Sequence, residues 1–159
     1  MNISALTGRD NYFEDFVPGT VMRHARGKTV EAIENVVITN LVMNTAQAHF
    51  NEHAMKHHRF GQRLTFGGVT AALIIGLASQ DTAGNALAEL SLDKIRFSNP
   101  VFHGDTLYAF TEVLAVGPSE REDAGIVHFR HWGVKDSDTV VFEGERRVLI
   151  KRRSHWPHR

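Results

Sequence analysis

The hydrophobic pattern of the chain predicts one helix that has no polar face. Residues 69–79 are apolar at almost every position and read Val-Thr-Ala-Ala-Leu-Ile-Ile-Gly-Leu-Ala-Ser. A surface helix carries polar residues along one side, so a helix that is apolar on all sides is normally buried. We therefore expect the rest of the domain to wrap around this segment, which Asp81 and Gly84 then end.

Four later segments have the composition of β-strands, because they are long runs rich in Val, Ile, Phe, Tyr and Thr with turn residues between them. They cover residues 87–97, 106–116, 125–135 and 139–152. The last three follow one another closely, as in an antiparallel meander. Upstream we expect a strand over residues 20–30, a short helix over 31–43 and a structured excursion over 44–66. One apolar helix needs a strongly curved sheet around it, so the pattern predicts an α+β fold.

Composition narrows the class of protein. A chain of 159 residues is long enough for one domain with a real core, so we expect residues 1–159 to form a single domain with loose tails at 1–11 and 154–159. The 18 basic and 18 acidic side chains cancel, which argues against a nucleic-acid partner. Cysteine is absent, so disulfides and thiolate metal sites are excluded. No segment resembles a membrane span or a secretory signal, and we expect a soluble, cytoplasmic protein.

The candidate chemistry lies between residues 44 and 68. His49 is the only side chain of residues 44–50 that belongs to a type exchanging protons near neutral pH, so it suits general acid–base work. Asn44 can donate and accept hydrogen bonds but does not titrate, which suits the orientation of a water. Gly67 and Gly68 open the apolar helix, whose first amides have no intrahelical acceptor and can stabilise an oxyanion.

Each of these features also has an ordinary structural interpretation. His49 can be a satisfied loop residue, Asn44 a turn residue and the glycine pair a simple turn before a helix. His49, His53 and His57 are spaced four apart, as metal ligands on one helix face sometimes are, but no carboxylate shares that face and we expect no metal site. The basic residues at 146–153 alternate along a strand, so they cannot all face one partner. They indicate either a solvated sheet edge or a contact of Lys151 or Arg152 with the phosphates of a ligand.

In combination, these motifs resemble the MaoC-like (R)-specific enoyl-CoA hydratase/dehydratase family. The chain keeps the following family residues at matching spacing: His49, Arg59, Phe60, Gly61, Arg63 and Gly67. Residues 99–107, Asn-Pro-Val-Phe-His-Gly-Asp-Thr-Leu, resemble the family's turn between two sheet strands. The chain differs from the family pattern at three places. Asn44 occupies the position of the family's catalytic aspartate, Ala46-Gln47 replaces Asn-Pro, and Phe66 replaces a polar residue before the helix glycine.

The segment Asn-Thr-Ala-Gln-Ala-His-Phe-Asn-Glu-His-Ala is similar in sequence to one half of the mesaconyl-CoA hydratases, also called β-methylmalyl-CoA dehydratases. The resemblance implies a hot-dog fold and reversible hydration of a small enoyl-CoA, possible examples being the branched dicarboxylic mesaconyl-CoA and itaconyl-CoA. We expect Asn44, His49 and Gly67 to take part in catalysis, and Arg63, Gly68, Arg59 and Arg96 to bind the substrate. A dicarboxylic substrate needs a cation for its distal carboxylate, and Arg63 is the arginine we favour for it. The resemblance implies no cofactor, since coenzyme A enters as part of the acyl-CoA substrate, and a homodimer or higher homo-oligomer. A hot-dog thioesterase and a non-catalytic acyl-CoA-binding subunit are the alternatives.

Overall fold

The chain folds into an antiparallel sheet of five strands with one long helix packed on it. The computed structural model describes residues 11–136 and 138–156. In that part of the chain the strands are β1 (Val21–Thr29), β2 (Ala86–Arg96), β3 (Thr106–Pro118), β4 (Ala124–Lys135) and β5 (Thr139–Lys151). The helices are α1 (Ala32–Leu41), α2 (Glu52–Met55) and α3 (Gly67–Thr82), with 3-10 turns at Phe13–Asp15 and Gln47–His49. The predicted α+β class is confirmed.

The sheet order is β1-β3-β4-β5-β2, and every neighbouring pair is antiparallel. The predicted meander of β3, β4 and β5 therefore forms its centre, and β1 and β2 form its edges. Register shifts interrupt three of the four strand pairs once each, and the β2–β5 pair three times. Such bulges increase the local twist, which bends the sheet around the helix.

Helix α3 is buried against the sheet on one side only. Val69, Ile74 and Ala78 have no exposed surface. The spacing of Ile74 and Ala78 places them on one face of the helix, and that face packs on the strands. On the opposite side Ala72 and Gly76 are exposed. The expectation of a fully wrapped helix thus holds for the sheet-facing side, while the other side of this apolar helix remains open in the single chain.

Two apolar clusters make up the core, and a buried polar chain lies between them. Along β3, Thr111 separates Ala109 of one cluster from Val113 of the other. The Thr111 hydroxyl contacts Nε2 of His24 at 2.7 Å and Nδ1 of His131 at 2.8 Å.

The chain of contacts continues from His24 to the end of α3. Nδ1 of His24 contacts the Asp81 carboxylate at 2.6 Å. At the other end, Nε2 of His131 is buried and has no hydrogen-bond partner within the described residues. Buried polar groups normally have hydrogen-bond partners, so this unpaired nitrogen lowers the stability of the core.

The two ends of the described chain pack against each other. The Arg152 guanidinium lies 4.3 Å from the ring centre of Phe13, and Arg153 contacts Tyr12 in the same way. Nε1 of Trp156 donates to the Asp123 carbonyl at 3.1 Å. Residue 156, expected in a loose tail, is therefore held in place, and residues 1–10 and 157–159 lie outside the described part. No helix in the described part combines the length and the hydropathy needed to cross a membrane.

Candidate active site

His49 is held by a main-chain acceptor rather than by another side chain. It closes the 3-10 turn Gln47–His49, and its Nδ1 lies 2.9 Å from the Leu64 carbonyl oxygen. Because a carbonyl can only accept, Nδ1 carries the proton. Nε2 then has a free lone pair, and within the described residues it has no hydrogen-bond partner. The imidazole is therefore set up to take a proton through Nε2.

Helix α3 begins at Gly67, directly after this segment. Phe66 is its N-cap residue, and the Phe66 side chain makes no capping hydrogen bond. The Gly67 and Gly68 amides are the first two of the helix, and among the described residues they have no hydrogen-bond acceptor. A β-carbon at Gly67 would lie 3.2 Å from the Phe97 ring, so glycine leaves room for the approach to the backbone at this point.

One cavity connects these two groups. Its volume is about 430 Å³, within the range of sites for small organic ligands. Residues from three segments line it, among them His49, Arg59, Thr65, Gly67, Phe97 and Val101. His49 and Gly67 thus line the same cavity.

A second histidine, His103, does not line the cavity and lies near the charged side chains of Arg63 and Glu52. Burial lowers the pKa of His103, the nearby Arg63 guanidinium lowers it further, and the Glu52 carboxylate partly opposes them. Nε of Arg63 donates to that carboxylate at 2.7 Å. His103 is therefore neutral at neutral pH and can accept a hydrogen bond through a ring nitrogen.

The structure brings together three of the seven residues singled out in the sequence, namely His49, Gly67 and Arg59. Asn44 does not line the cavity, and its Oδ1 accepts from the Ala46 amide at 3.0 Å in a local turn. This is the turn geometry that asparagine adopts on its own. A catalytic role for Asn44 stays a prediction.

The other three residues also lie outside the cavity lining. Arg63 is bound to Glu52, as described, and a β-carbon on Gly68 would overlap the ring of Phe66. Arg96 lines a separate surface depression on the sheet. The rings of His53 and His57 lie 5.8 Å apart, and no cluster of three or more histidine or carboxylate side chains in the described ranges could hold a metal ion.

Sequence reasoning missed Asn35. This residue and Thr39 are fully buried on α1, whereas Ile33, Val37 and Leu41 on the same helix are exposed. Three apolar residues of this helix thus face away from the domain. The sequence carries no signal for this orientation, because polar residues four positions apart on a helix ordinarily mark its solvated side.

Comparison with known proteins identifies the family to which the sequence is similar. The model of the mesaconyl-CoA hydratase family matches residues 7–152. A β-methylmalyl-CoA dehydratase from Chloroflexus aurantiacus is 36% identical over 133 residues, which are 83% of this chain and 38% of the relative. The chain spans about two fifths of the length of the curated relatives it matches.

Solved structures show the same fold. A MaoC domain protein dehydratase from Chloroflexus aurantiacus superposes with a TM-score of 0.84 at 32% identity, over 89% of this chain and 45% of the other. A Mycobacterium tuberculosis protein with a double hot-dog fold gives a TM-score of 0.80 at 22% identity, over 93% of this chain and 46% of the other. The predicted hot-dog fold is confirmed.

Proposed function

Because the chain belongs to the mesaconyl-CoA hydratase family, we propose that it adds water reversibly across the double bond of a small enoyl-CoA thioester. One observation carries the proposal. The free Nε2 of His49 and the unbonded amide at Gly67 belong to residues that line the same cavity. Hydration needs a base for water and a donor for the thioester oxygen, and these two groups supply both.

The reaction follows from these roles. Nε2 of His49 takes a proton from water while the oxygen forms a bond to the β-carbon of the substrate. The electron pair of the double bond moves to the thioester oxygen, where the amide at Gly67 stabilises it. The His49 imidazolium then returns the proton to the α-carbon, so that one water has been added. The thioester itself acidifies the α-carbon, and the scheme uses no further cofactor.

Arg59 is the group we assign to a distal carboxylate of the substrate. Among the described residues that line the cavity, it alone carries a permanent positive charge. It lies 4.6 Å from the ring centre of Phe60, which orients the guanidinium. Arg63, the cation favoured by the sequence, is already paired with Glu52. A branched dicarboxylic acyl group such as the mesaconyl group is therefore the substrate class we propose.

A matched pair of substrates tests this assignment. Mesaconyl-CoA carries a distal carboxylate and crotonyl-CoA does not. We expect Arg59→Gln to raise KM for mesaconyl-CoA about tenfold or more, since a charged hydrogen bond is lost, and to leave KM for crotonyl-CoA nearly unchanged. Equal changes with both substrates would assign Arg59 to the coenzyme A portion instead.

A second hot-dog domain is the partner we propose. Among the described strands, edge strand β2 pairs with β5 alone, and it exposes Leu90, Leu92 and Ile95. An apolar edge of this kind favours pairing with another strand, which fits a homodimer or a higher homo-oligomer. Light scattering of the purified protein measures the number of chains in the particle, and a single chain at working concentrations would contradict the proposal.

Turnover with crotonyl-CoA and mesaconyl-CoA tests the reaction itself. Loss of enoyl absorbance without release of thiol is the expected result, and His49→Ala should reduce it by about a thousandfold, within the range for loss of a general acid–base group. His57→Ala is the matched control, because His57 is exposed after α2. Release of thiol would indicate a thioesterase, and binding without either change a non-catalytic subunit. Asn44→Ala in the same assay measures what Asn44 contributes.

A further inference from the structure

We propose that Asn35 is the positioning residue that holds His49 and the start of α3 in a fixed relation to each other. The effect on catalysis that we predict for Asn35 rests on the function proposed above, whereas the effect on the structure of the site does not. The residue has no exposed surface and lies on the side of α1 that faces the domain. It does not line the cavity, so it acts through its neighbours.

The side-chain amide of Asn35 is bonded on both of its ends. Oδ1 accepts from the backbone amide of Phe66 at 2.9 Å. Nδ2 lies 3.2 Å from the Leu64 carbonyl oxygen, 3.0 Å from Nε2 of His103 and 3.5 Å from the His49 carbonyl oxygen. A backbone amide only donates and a carbonyl only accepts, so the orientation of this side chain is determined.

The carbonyl of Leu64 connects Asn35 to the catalytic imidazole. That oxygen accepts from Nδ1 of His49 as well as from Nδ2 of Asn35. Its position therefore sets both the tautomer and the ring orientation of His49. Without the Asn35 donor, the peptide of Leu64 loses one of the two contacts that hold this oxygen.

The same side chain fixes the other half of the site. Phe66 is the residue whose amide Asn35 binds, and Gly67 follows it directly at the start of α3. One amide group thus links the segment that carries the base to the segment that carries the oxyanion donors. Reacting groups must be held to a fraction of an ångström for efficient catalysis, and a buried, fully bonded side chain meets that need.

Asparagine suits this position because it presents an acceptor and two donors on a short, rigid side chain. Aspartate has the same shape, but it cannot donate to the Leu64 carbonyl, and its charge would face carbonyl oxygens. Serine is too short to reach both sides. His103, which is neutral because burial lowers its pKa, offers the unprotonated nitrogen that the second amide hydrogen needs.

Four proteins test the proposal: the natural chain, Asn35→Asp, Asn35→Ser and the control Asn11→Asp. Asn11 is also fully buried, and its amide donates to the Gln80 carbonyl and accepts from Asn85, near the far end of α3. Both aspartate variants bury a carboxylate, so both should lower Tm. We expect kcat for crotonyl-CoA to fall about a hundredfold in the two Asn35 variants, with KM within about threefold, and to stay within about twofold in the control. All rates are measured below the lowest Tm and per folded molecule.

A spectroscopic readout does not depend on turnover. Long-range ¹H–¹⁵N correlation spectra report which nitrogen of His49 carries the proton. The natural chain and the control should show the proton on Nδ1, and the Asn35 variants a mixture of the two tautomers.

The outcomes separate the two proposals. A natural chain that hydrates neither thioester would refute the proposed function, and the spectra would still decide the role of Asn35. Unchanged tautomer and kcat in both Asn35 variants would overturn the positioning role. An equal loss of kcat in Asn11→Asp would overturn it too, since any buried charge would then have the same effect.

Discussion

His131→Asn should weaken the dependence of folding stability on acid. His131 is fully buried on β4, its Nδ1 contacts the Thr111 hydroxyl and its Nε2 has no partner in the described structure. Burial, with smaller contributions from the charges of Arg146 and His24, lowers the pKa of His131 to about 3. Asparagine can keep a contact with Thr111 and does not titrate.

The size of the effect follows from the difference in proton uptake. In the unfolded chain the histidine pKa is about 6.5. Between pH 6.5 and 3, the unfolded state therefore binds a proton that the folded state excludes, so stability falls as pH falls. The part of the folding stability that depends on neutral His131 is fully present above pH 6.5. About 2 kcal/mol of it is lost by pH 5, and about 5 kcal/mol is lost near pH 3.

Urea denaturation at a series of pH values between 7.5 and 5 measures this effect. The natural chain should lose about 2 kcal/mol more over this range than His131→Asn does, whatever the absolute stability of the variant. His57→Asn is the control and should keep the full dependence, because exposed His57 meets water in the folded and unfolded states alike. Equal pH dependence in His131→Asn and the natural chain would refute the reasoning, since His131 would then bind its proton equally in both states.

Three glycine substitutions test the packing around α3. Gly133→Ala should lower the free energy of unfolding by about 1–3 kcal/mol, because the methyl group would overlap the buried Ile74 side chain; an unchanged urea midpoint would contradict this packing. Gly76→Ala should raise that free energy by about 0.5–1 kcal/mol in the same assay, because this helical residue has open space around it; a decrease would show that the space is filled in solution. Gly68→Ala should lower kcat for crotonyl-CoA about tenfold, because the methyl group would displace the Phe66 ring that contacts the His49 imidazole, the base we propose; an unchanged kcat would speak against that contact.

The order of the elements could be predicted because hydrophobic periodicity reports it directly. The strand expected over 139–152 is β5 (Thr139–Lys151), and the helix expected over 69–79 is α3 (Gly67–Thr82). The helix begins earlier than its apolar run because Gly67 and Gly68 already have helical geometry. The composition of each segment indicated its type, and the short connections between β3, β4 and β5 predicted their pairing. The pairing of β1 with β3 and of β2 with β5 was not predicted.

What periodicity could not supply was which side of α1 faces inward. Ile33 and Leu41 are 67% and 77% exposed, while Asn35 is fully buried. Its partners are mainly backbone atoms of residues that lie 14 and more positions away along the chain. Hydrogen bonds to distant backbone leave no mark on the sequence, so a buried asparagine cannot be told from an exposed one.

The same limit applied to the candidate site. His49 and Gly67 could be found because a titratable side chain and a helix-opening glycine are recognisable by type. Asn44 was singled out by its position in the motif, but its hydrogen bond to the Ala46 amide is a local turn. Motif spacing ranks residues by their place in the chain, whereas the direction of a side chain depends on the turn that carries it.

The acceptor that orients His49 has a consequence for how this sequence can diverge. It is the main-chain oxygen of Leu64, which every amino acid at position 64 would provide. Substitutions there can alter the cavity wall without releasing the imidazole, so evolution can change the shape of the cavity at this position while His49 stays oriented. Position 35 has no such freedom, because its function resides in side-chain atoms. Two residues bonded to each other thus tolerate replacement very differently, and divergence among relatives should concentrate at the first and avoid the second.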